Sequence, residues 1–306
     1  MGKGIIQARD LVKRFGELTA VDGISFVVRE GECLGFLGPN GAGKTTTIRM
    51  IYAISPLTAG ELYVADYDIR HHPRKIKGMI GVVPQENNLD PDLTVLENLL
   101  VYARYFEIHK QEAVRRAFEL LDFLELREKK DRLIEELSAG MKRRLIIARA
   151  LIQRPRILIL DEPTTGLDPQ ARHLIWQRLR SLKREGVTQI LTTHYMEEAT
   201  QLCDRVAIMD QGMILRLGSP QELVAAEVGE EVIELQVGED EEARIKGFLE
   251  GSPFIWEQAG DTLYLYCSNG REVLASLARY PHLRLVHRPA TLEDLFLKLT
   301  GRRLRE

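Results

Sequence analysis

The chain has 306 residues, of which 44% are hydrophobic and 28% charged, with a net charge of −3. This describes a soluble globular protein with room for one large domain and a smaller one, and it excludes a basic footprint for non-specific nucleic-acid binding. Three scattered cysteines (Cys33, Cys203, Cys267) in no CxxC pattern argue against a disulfide framework or a zinc site and suit a reducing cytosol.

The opening "MGKGIIQARD" lacks the apolar core of a signal peptide. "CLGFLG" reads as a buried strand that feeds directly into "PNGAGKTTTIRMIY", a loop and then a helix. His71 and His72 read as a polar turn. "TVLENLLVYARYF" and "QEAVRRAFELLDFLEL" carry apolar residues at three- and four-residue spacing and predict helices. "LSAGM" is a glycine-containing turn, and its Ser138 suits the N-cap of the helix "MKRRLIIARAL", whose Met141, Leu145 and Ala148 share a face. The basic triplet at 142–144 reads as a solvated helix face. "ILILDEP" is a nearly all-apolar run, as a central parallel strand requires. Arg172, His173 and Trp176 read as packing residues on the helix that follows. "TQILTTH" and "RVAIMDQGMIL" predict two more strands. No apolar run approaches the ~20 residues of a membrane span, so work at a membrane would need another chain.

Alternating strands and helices up to about residue 220 imply an α/β core with a parallel sheet. "GSPQELVAAEVGEE" reads as a joint. Beyond it the order strand–helix–strand–strand–helix–strand, with one more helix, predicts a small α+β domain of the ferredoxin-like βαββαβ type. The expected domains are residues 1–222 and 223–306.

The chemistry lies in the first part. Gly38, Gly43, Lys44 and Thr45 fill the phosphate-loop pattern GxxxxGK[ST] between a strand and a helix. Glycines let backbone N–H groups curl around an anion, and the helix adds the positive end of its dipole. Lys44 is expected to reach the outer phosphates and Thr45 to ligate Mg²⁺. Asp161 ends a buried strand, where a carboxylate can meet the hydrated ion. Glu162 can orient or deprotonate an attacking water. Topology sets His194 at the end of the neighbouring strand, at the same sheet edge.

Together these residues resemble the nucleotide-binding subunits of ABC transporters, over residues 1 to about 220. The match is carried by "GPNGAGKTT" (Gly38, Pro39, Asn40, Gly41, Ala42, Gly43, Lys44, Thr45, Thr46), Gln85 in "VVPQ", "LSAGM", "ILILDEP", "GLDP" with Asp168, and His194, all in the family's order. The resemblance implies a P-loop NTPase domain with a helical subdomain, ATP and Mg²⁺ as ligands, and catalytic roles for Glu162, His194, Gln85 and Lys44. It adds Gln85 to Thr45 and Asp161 around the metal, and sets Phe15 where an aromatic ring stacks on adenine. It also implies a head-to-tail homodimer. Each ATP would lie between the phosphate loop of one chain and Ser138 and Gly140 of the other. Two departures from the family's LSGGQ stand out: Ala139 replaces a glycine and Met141 replaces the glutamine.

"LSAGMKRRLIIARAL", "PTTGLDPQARHLIW" and the closing "ATLEDLFLKLTGRRLRE" resemble ATPases of type-2 exporters, drug-resistance and nodulation-factor exporters among them. That implies a cytoplasmic, peripheral subunit driving a separate ABC-2 permease, with no nucleic-acid partner. "ENNLDPDLTVLENLLVYARYF" resembles the surface that receives a permease's cytoplasmic helix. The competing expectation, a soluble ABC-type ATPase acting on ribosomes or DNA, fits less well with one phosphate loop and no inserted coiled coil.

Overall fold

The computed structural model describes residues 4–238, 245–247, 249–251, 254–267, 269–278, 280 and 283–300. The chain forms two compact units, Met1–Ile214 and Leu215–Glu306.

A six-stranded sheet organises the first unit. Its strands are β3 (Cys33–Leu37), β6 (Ile80–Val83), β7 (Ile157–Asp161), β8 (Thr188–Thr193), β9 (Arg205–Asp210) and β10 (Met213–Gly218), in the order β10-β9-β3-β8-β7-β6. The pairs β9·β3, β3·β8, β8·β7 and β7·β6 are parallel. Every residue of β3, β7 and β8 is buried, which is why β3 and β7 read as apolar runs without alternation; β8 (TQILTT) buries Thr188, Gln189, Thr192 and Thr193 beside its Ile190 and Leu191. Residues 205–215, which read as one strand, are two. Gln211 and Gly212 both take positive φ, the backbone of a two-residue hairpin turn.

A second sheet was not legible in the sequence. β1 (Ile6–Phe15), β2 (Leu18–Val28), β4 (Ala59–Val64) and β5 (Tyr67–Asp68) pair antiparallel in the order β2-β1-β4-β5. Register shifts between Ala8 and Leu11 and between Leu11 and Lys13 break the alternation that would have announced β1. Phe26 of β2 meets Phe36 of β3 edge-on, with ring centroids 5.2 Å apart, and joins the two sheets.

Three helices pack together as a helical subdomain: α3 (Val95–Tyr105), α4 (Lys110–Phe123) and α5 (Ala139–Leu151). α3 opens with a reciprocal capping box between Thr94 and Glu97. α1 (Lys44–Ile51) follows the phosphate loop, the short α2 (Pro73–Lys77) precedes β6, and α6 (Pro169–Arg184) and α7 (Met196–Leu202) follow β7 and β8.

In the second unit the expected joint is itself helical: Ser219 caps α8 (Pro220–Glu227). β11 (Glu231–Gln236), β12 (Ile255–Ala259), β13 (Thr262–Cys267) and β14 (Arg284–Pro289) form an antiparallel sheet in the order β12-β13-β11-β14. The first strand therefore lies between the third and the fourth, which is the split βαβ arrangement the sequence predicts. Ile233, Leu235, Leu263 and Leu265 pack with Val273 and Leu277 of the helix Gly270–Leu277. The start of the helix predicted over 239–250 lies outside the described residues; 245–247 and 249–250 are helical.

Candidate nucleotide-binding site

The parallel sheet explains why residues far apart in sequence meet. Leu37 pairs with Thr193, Asp161 with Thr192, and Val83 with Leu160, so β3, β8, β7 and β6 end at one level. The segments leaving those ends carry the phosphate loop, His194, Glu162 and Gln85, at the edge where open α/β sheets bind ligands.

The phosphate loop is shaped by its glycines. A Cβ on Gly38 would lie 2.2 Å from the Met209 carbonyl oxygen, and Gly43, the N-cap of α1, has φ of +97°. The Lys44 ammonium donates to the carbonyls of Gly38 at 2.8 Å and Pro39 at 3.0 Å. Burial pushes Lys44 below the usual lysine range, and the Glu162 and Asp161 carboxylates oppose that shift.

Asp161 and Glu162 are buried side by side but differ in their partners. Asp161 Oδ1 accepts from Thr45 Oγ1 at 3.0 Å and from Thr192 Oγ1 at 2.5 Å. This hydroxyl and carboxylate, 3.0 Å apart, are oxygen donors of the kind a hard divalent cation takes. Glu162 Oε2 accepts from Gln85 Nε2 and Thr165 Oγ1, each at 3.2 Å, and His194 Nδ1 approaches Glu162 Oε1 at 3.3 Å. Glu162 has a left-handed backbone with φ of +46°, an unusual conformation for a side chain-bearing residue. Its N–H is pinned to the backbone and side-chain oxygens of Thr192, at 3.0 and 3.2 Å.

Other expected site residues make their contacts apart from this cluster. Phe15 is 52% exposed at the tip of β1, with the Lys13 ammonium 4.6 Å from its ring, so it is a surface residue rather than core. Ser138 caps α5 by accepting from the Met141 N–H at 3.3 Å. Ala139 is the first residue of the helix, so its methyl meets no left-handed requirement. A Cβ on Gly140 would stand 2.9 Å from the Ala171 Cβ, so glycine there lets α5 and α6 approach. Asp168 caps α6, accepting from the Ala171 N–H at 2.9 Å.

The basic triplet departs from its reading as a solvated face. Arg143 is buried and spends its guanidinium on the carbonyls of Pro84, Asp161, Glu162 and Pro163. Burial pushes it down to about 10, with the Glu198, Asp161 and Glu162 carboxylates opposing. Helical phase was the available signal: Gly140, Arg143, Ile147 and Ala150 recur at three- and four-residue spacing, and all are buried. Glu198 on α7, also overlooked, accepts from Thr164 Oγ1 at 2.6 Å and Trp176 Nε1 at 3.1 Å. Beside the Gln85 segment a groove of about 430 Å³ is lined by residues including Ile54, Val82, Pro84, Tyr102 and Phe106.

A phosphate loop, an adjacent Asp–Glu pair and a glutamine and a histidine at neighbouring strand ends define, on this fold, an ATP-binding cassette. Residues 21–165 match the ABC transporter family, and residues 255–301 match the C-terminal domain of the nodulation factor export protein NodI. The chain is 48% identical to the Nod factor export ATP-binding protein I of Paraburkholderia xenovorans, over 100% of both chains. It is 47% identical to that of Ralstonia nicotianae, over 99% of this chain and 95% of the relative. The dimeric post-hydrolysis structure of the cassette MJ0796, bound to ADP and Pi, matches with a TM-score of 0.65 and 29% identity, over 70% of this chain and 98% of that one. The cbiO1 structure from Clostridium perfringens, part of the ABC transporter complex cbiONQ, matches with a TM-score of 0.68 and 28% identity, over 81% and 100%. The chain belongs to the ATP-binding subunits of ABC transporters. It is the ATP-binding and ATP-hydrolysing subunit of an export system.

Proposed function

We propose that this chain drives export through a separate ABC-2 type permease, binding MgATP between two copies of itself arranged head to tail. The convergence of Lys44, Thr45, Asp161, Glu162, Gln85 and His194 at one sheet edge carries this reading. Backbone N–H groups of residues 38–46 cradle the phosphates, and Lys44 exchanges its carbonyl partners for the outer phosphate oxygens. Thr45, Asp161 and Gln85 would hold Mg²⁺, which supplies charge neutralisation at the phosphates when bound. Glu162 orients the attacking water and accepts its proton, with Gln85 and His194 holding the carboxylate from either side. Phe15 offers its exposed face to adenine. Ser138 and Gly140, at the N-terminus of α5, complete the site of the partner chain, and Asp168 fixes the start of α6 behind that turn.

The ATP chemistry is confined to residues 1–222, and residues 223–306 form a separate domain. The apolar groove beside Gln85 receives a cytoplasmic segment of the permease, so the subunit sits peripherally on the cytoplasmic face of the membrane. Among the described residues no helix is long and apolar enough to cross a membrane. The names of the relatives favour a Nod factor as cargo.

Magnesium-dependent ATP turnover by the purified chain, lost in Lys44→Ala, tests the ATPase site. Co-purification with the permease, lost in Phe106→Glu but retained in Lys44→Ala, tests the docking. A Lys44→Ala chain that turned over ATP at the normal rate would sink the site. A Phe106→Glu chain that still held the permease would sink the docking surface.

A further inference from the structure

Arg143 is an unusual buried cation. It is 7% exposed, and its hydrogen bonds run to backbone carbonyls of two loops. Nε donates to Pro163 O at 2.7 Å; one terminal nitrogen donates to Asp161 O and Glu162 O, each at 2.8 Å. The other terminal nitrogen donates to Pro84 O and, at 3.4 Å, to Gln85 O. A planar fork of five N–H donors can span such a set; a lysine ammonium, with three donors around one atom, cannot.

The two loops are those that carry Glu162 and Gln85. Glu162 holds a left-handed backbone, and such conformations persist only where the surroundings over-determine them. Thr192 fixes its N–H, and Arg143 fixes its carbonyl. Arg143 also stands five residues after Ser138, on the helix that begins with the second phosphate-binding turn.

We propose that Arg143 is a positioning residue for ATP hydrolysis, locking the peptide planes of Glu162 and Gln85 so that both side chains meet the attacking water. This rests on the assignment of Glu162 and Gln85 proposed above. Arg143 acts within its own chain, behind the carboxylate, and touches no substrate.

The test uses the full-length chain with Arg143→Lys and Arg143→Gln. The readouts are kcat and KM for MgATP, ATP affinity, and melting temperature. Misplacing Glu162 lowers kcat by about ten- to a hundredfold while KM and ATP affinity stay within about threefold. A second readout needs no turnover: ATP-dependent dimer formation by size exclusion in Glu162→Gln, with and without Arg143→Lys. The proposal predicts that the dimer forms equally in both. Unchanged kcat in both variants overturns it. So does a fall in kcat matched by lost ATP affinity or a lost dimer, which would make Arg143 a support for α5 and its turn. If neither variant keeps the wild-type melting temperature, Arg143 serves stability and the proposal falls. Failure of Glu162→Gln alone to dimerise with ATP counts against the shared site, and the kinetic readout still judges Arg143.

Discussion

Replacing Glu162 by glutamine is the sharpest single perturbation of the chemistry. The amide has almost the volume of the carboxylate, and its oxygen can still accept from Gln85 Nε2 and Thr165 Oγ1, both at 3.2 Å in the native chain. The left-handed backbone and its tie to Thr192 remain. What disappears is one negative charge and one proton acceptor. Losing a positioned base costs about 10²–10⁴ in rate, or about 3–5 kcal/mol of barrier at ~1.4 kcal/mol per decade. Binding moves the other way. Glu162 and Asp161 both act electrostatically on Lys44, so removing one carboxylate relieves repulsion against an anionic ligand. ATP affinity therefore holds or tightens. Phosphate release under saturating MgATP, paired with a fluorescence titration of nucleotide, separates the two quantities. Turnover within about threefold of wild type, at undiminished affinity, would refute the role of Glu162 as base.

Three further outcomes follow from the geometry. Phe15→Ala removes a ring that is 52% exposed, so it should raise the ATP dissociation constant by about two- to tenfold, the range of ~0.5–1.5 kcal/mol of stacking, and leave the melting temperature nearly alone. A loss of stability without a loss of affinity would contradict it. Burial raises the Glu198 carboxyl above its unfolded value, so the folded chain keeps a proton that the unfolded chain has released. That contribution to stability is complete below about pH 4.5, the unfolded value, and drains as pH rises through the folded one. Melting curves from pH 5 to 8 should therefore slope less in Glu198→Gln than in wild type; parallel slopes would refute the assignment. A chain ending at Gly218 should bind ATP as the full chain does, and a soluble, folded truncation without nucleotide affinity would break the two-domain division.

What the sequence showed and what it hid follow from the range of each signal. The phosphate loop was legible because its glycines, Lys44 and Thr45 are local and sit between an apolar strand and a helix. Asp161 was legible because it ends a run too apolar to be anything but a central strand, and His194 because it follows TQILTT, a short run rich in β-branched residues. The split βαβ order of the second unit followed from alternating short elements. The antiparallel sheet of β1, β2, β4 and β5 was not, since bulges interrupt its period-two pattern. Arg143 was hidden in a run of three basic residues, each turned ~100° from the last, where only helical phase tells the buried one from its neighbours. Glu198 was hidden because its partners, Thr164 and Trp176, come from other elements.

The central claim is that Ser138 and Gly140 serve the partner's ATP, and complementation between two damaged chains tests it most directly. Lys44→Ala removes the phosphate-loop cation. For the second lesion, Ala139→Asp is better than a change at Gly140, whose missing Cβ faces Ala171 at 2.9 Å and whose replacement would disturb α5 and α6. Ala139 is exposed in the first turn of α5, where a carboxylate favours the helix but would repel incoming phosphates. Each homodimer then has two spoiled sites. In the mixed dimer, the intact phosphate loop of the Ala139→Asp chain faces the intact turn of the Lys44→Ala chain. Equilibrium ATP binding to the isolated heterodimer should recover about one nucleotide per dimer, by the symmetry of a head-to-tail pair. No recovery, with both chains folded, would contradict a site shared between chains.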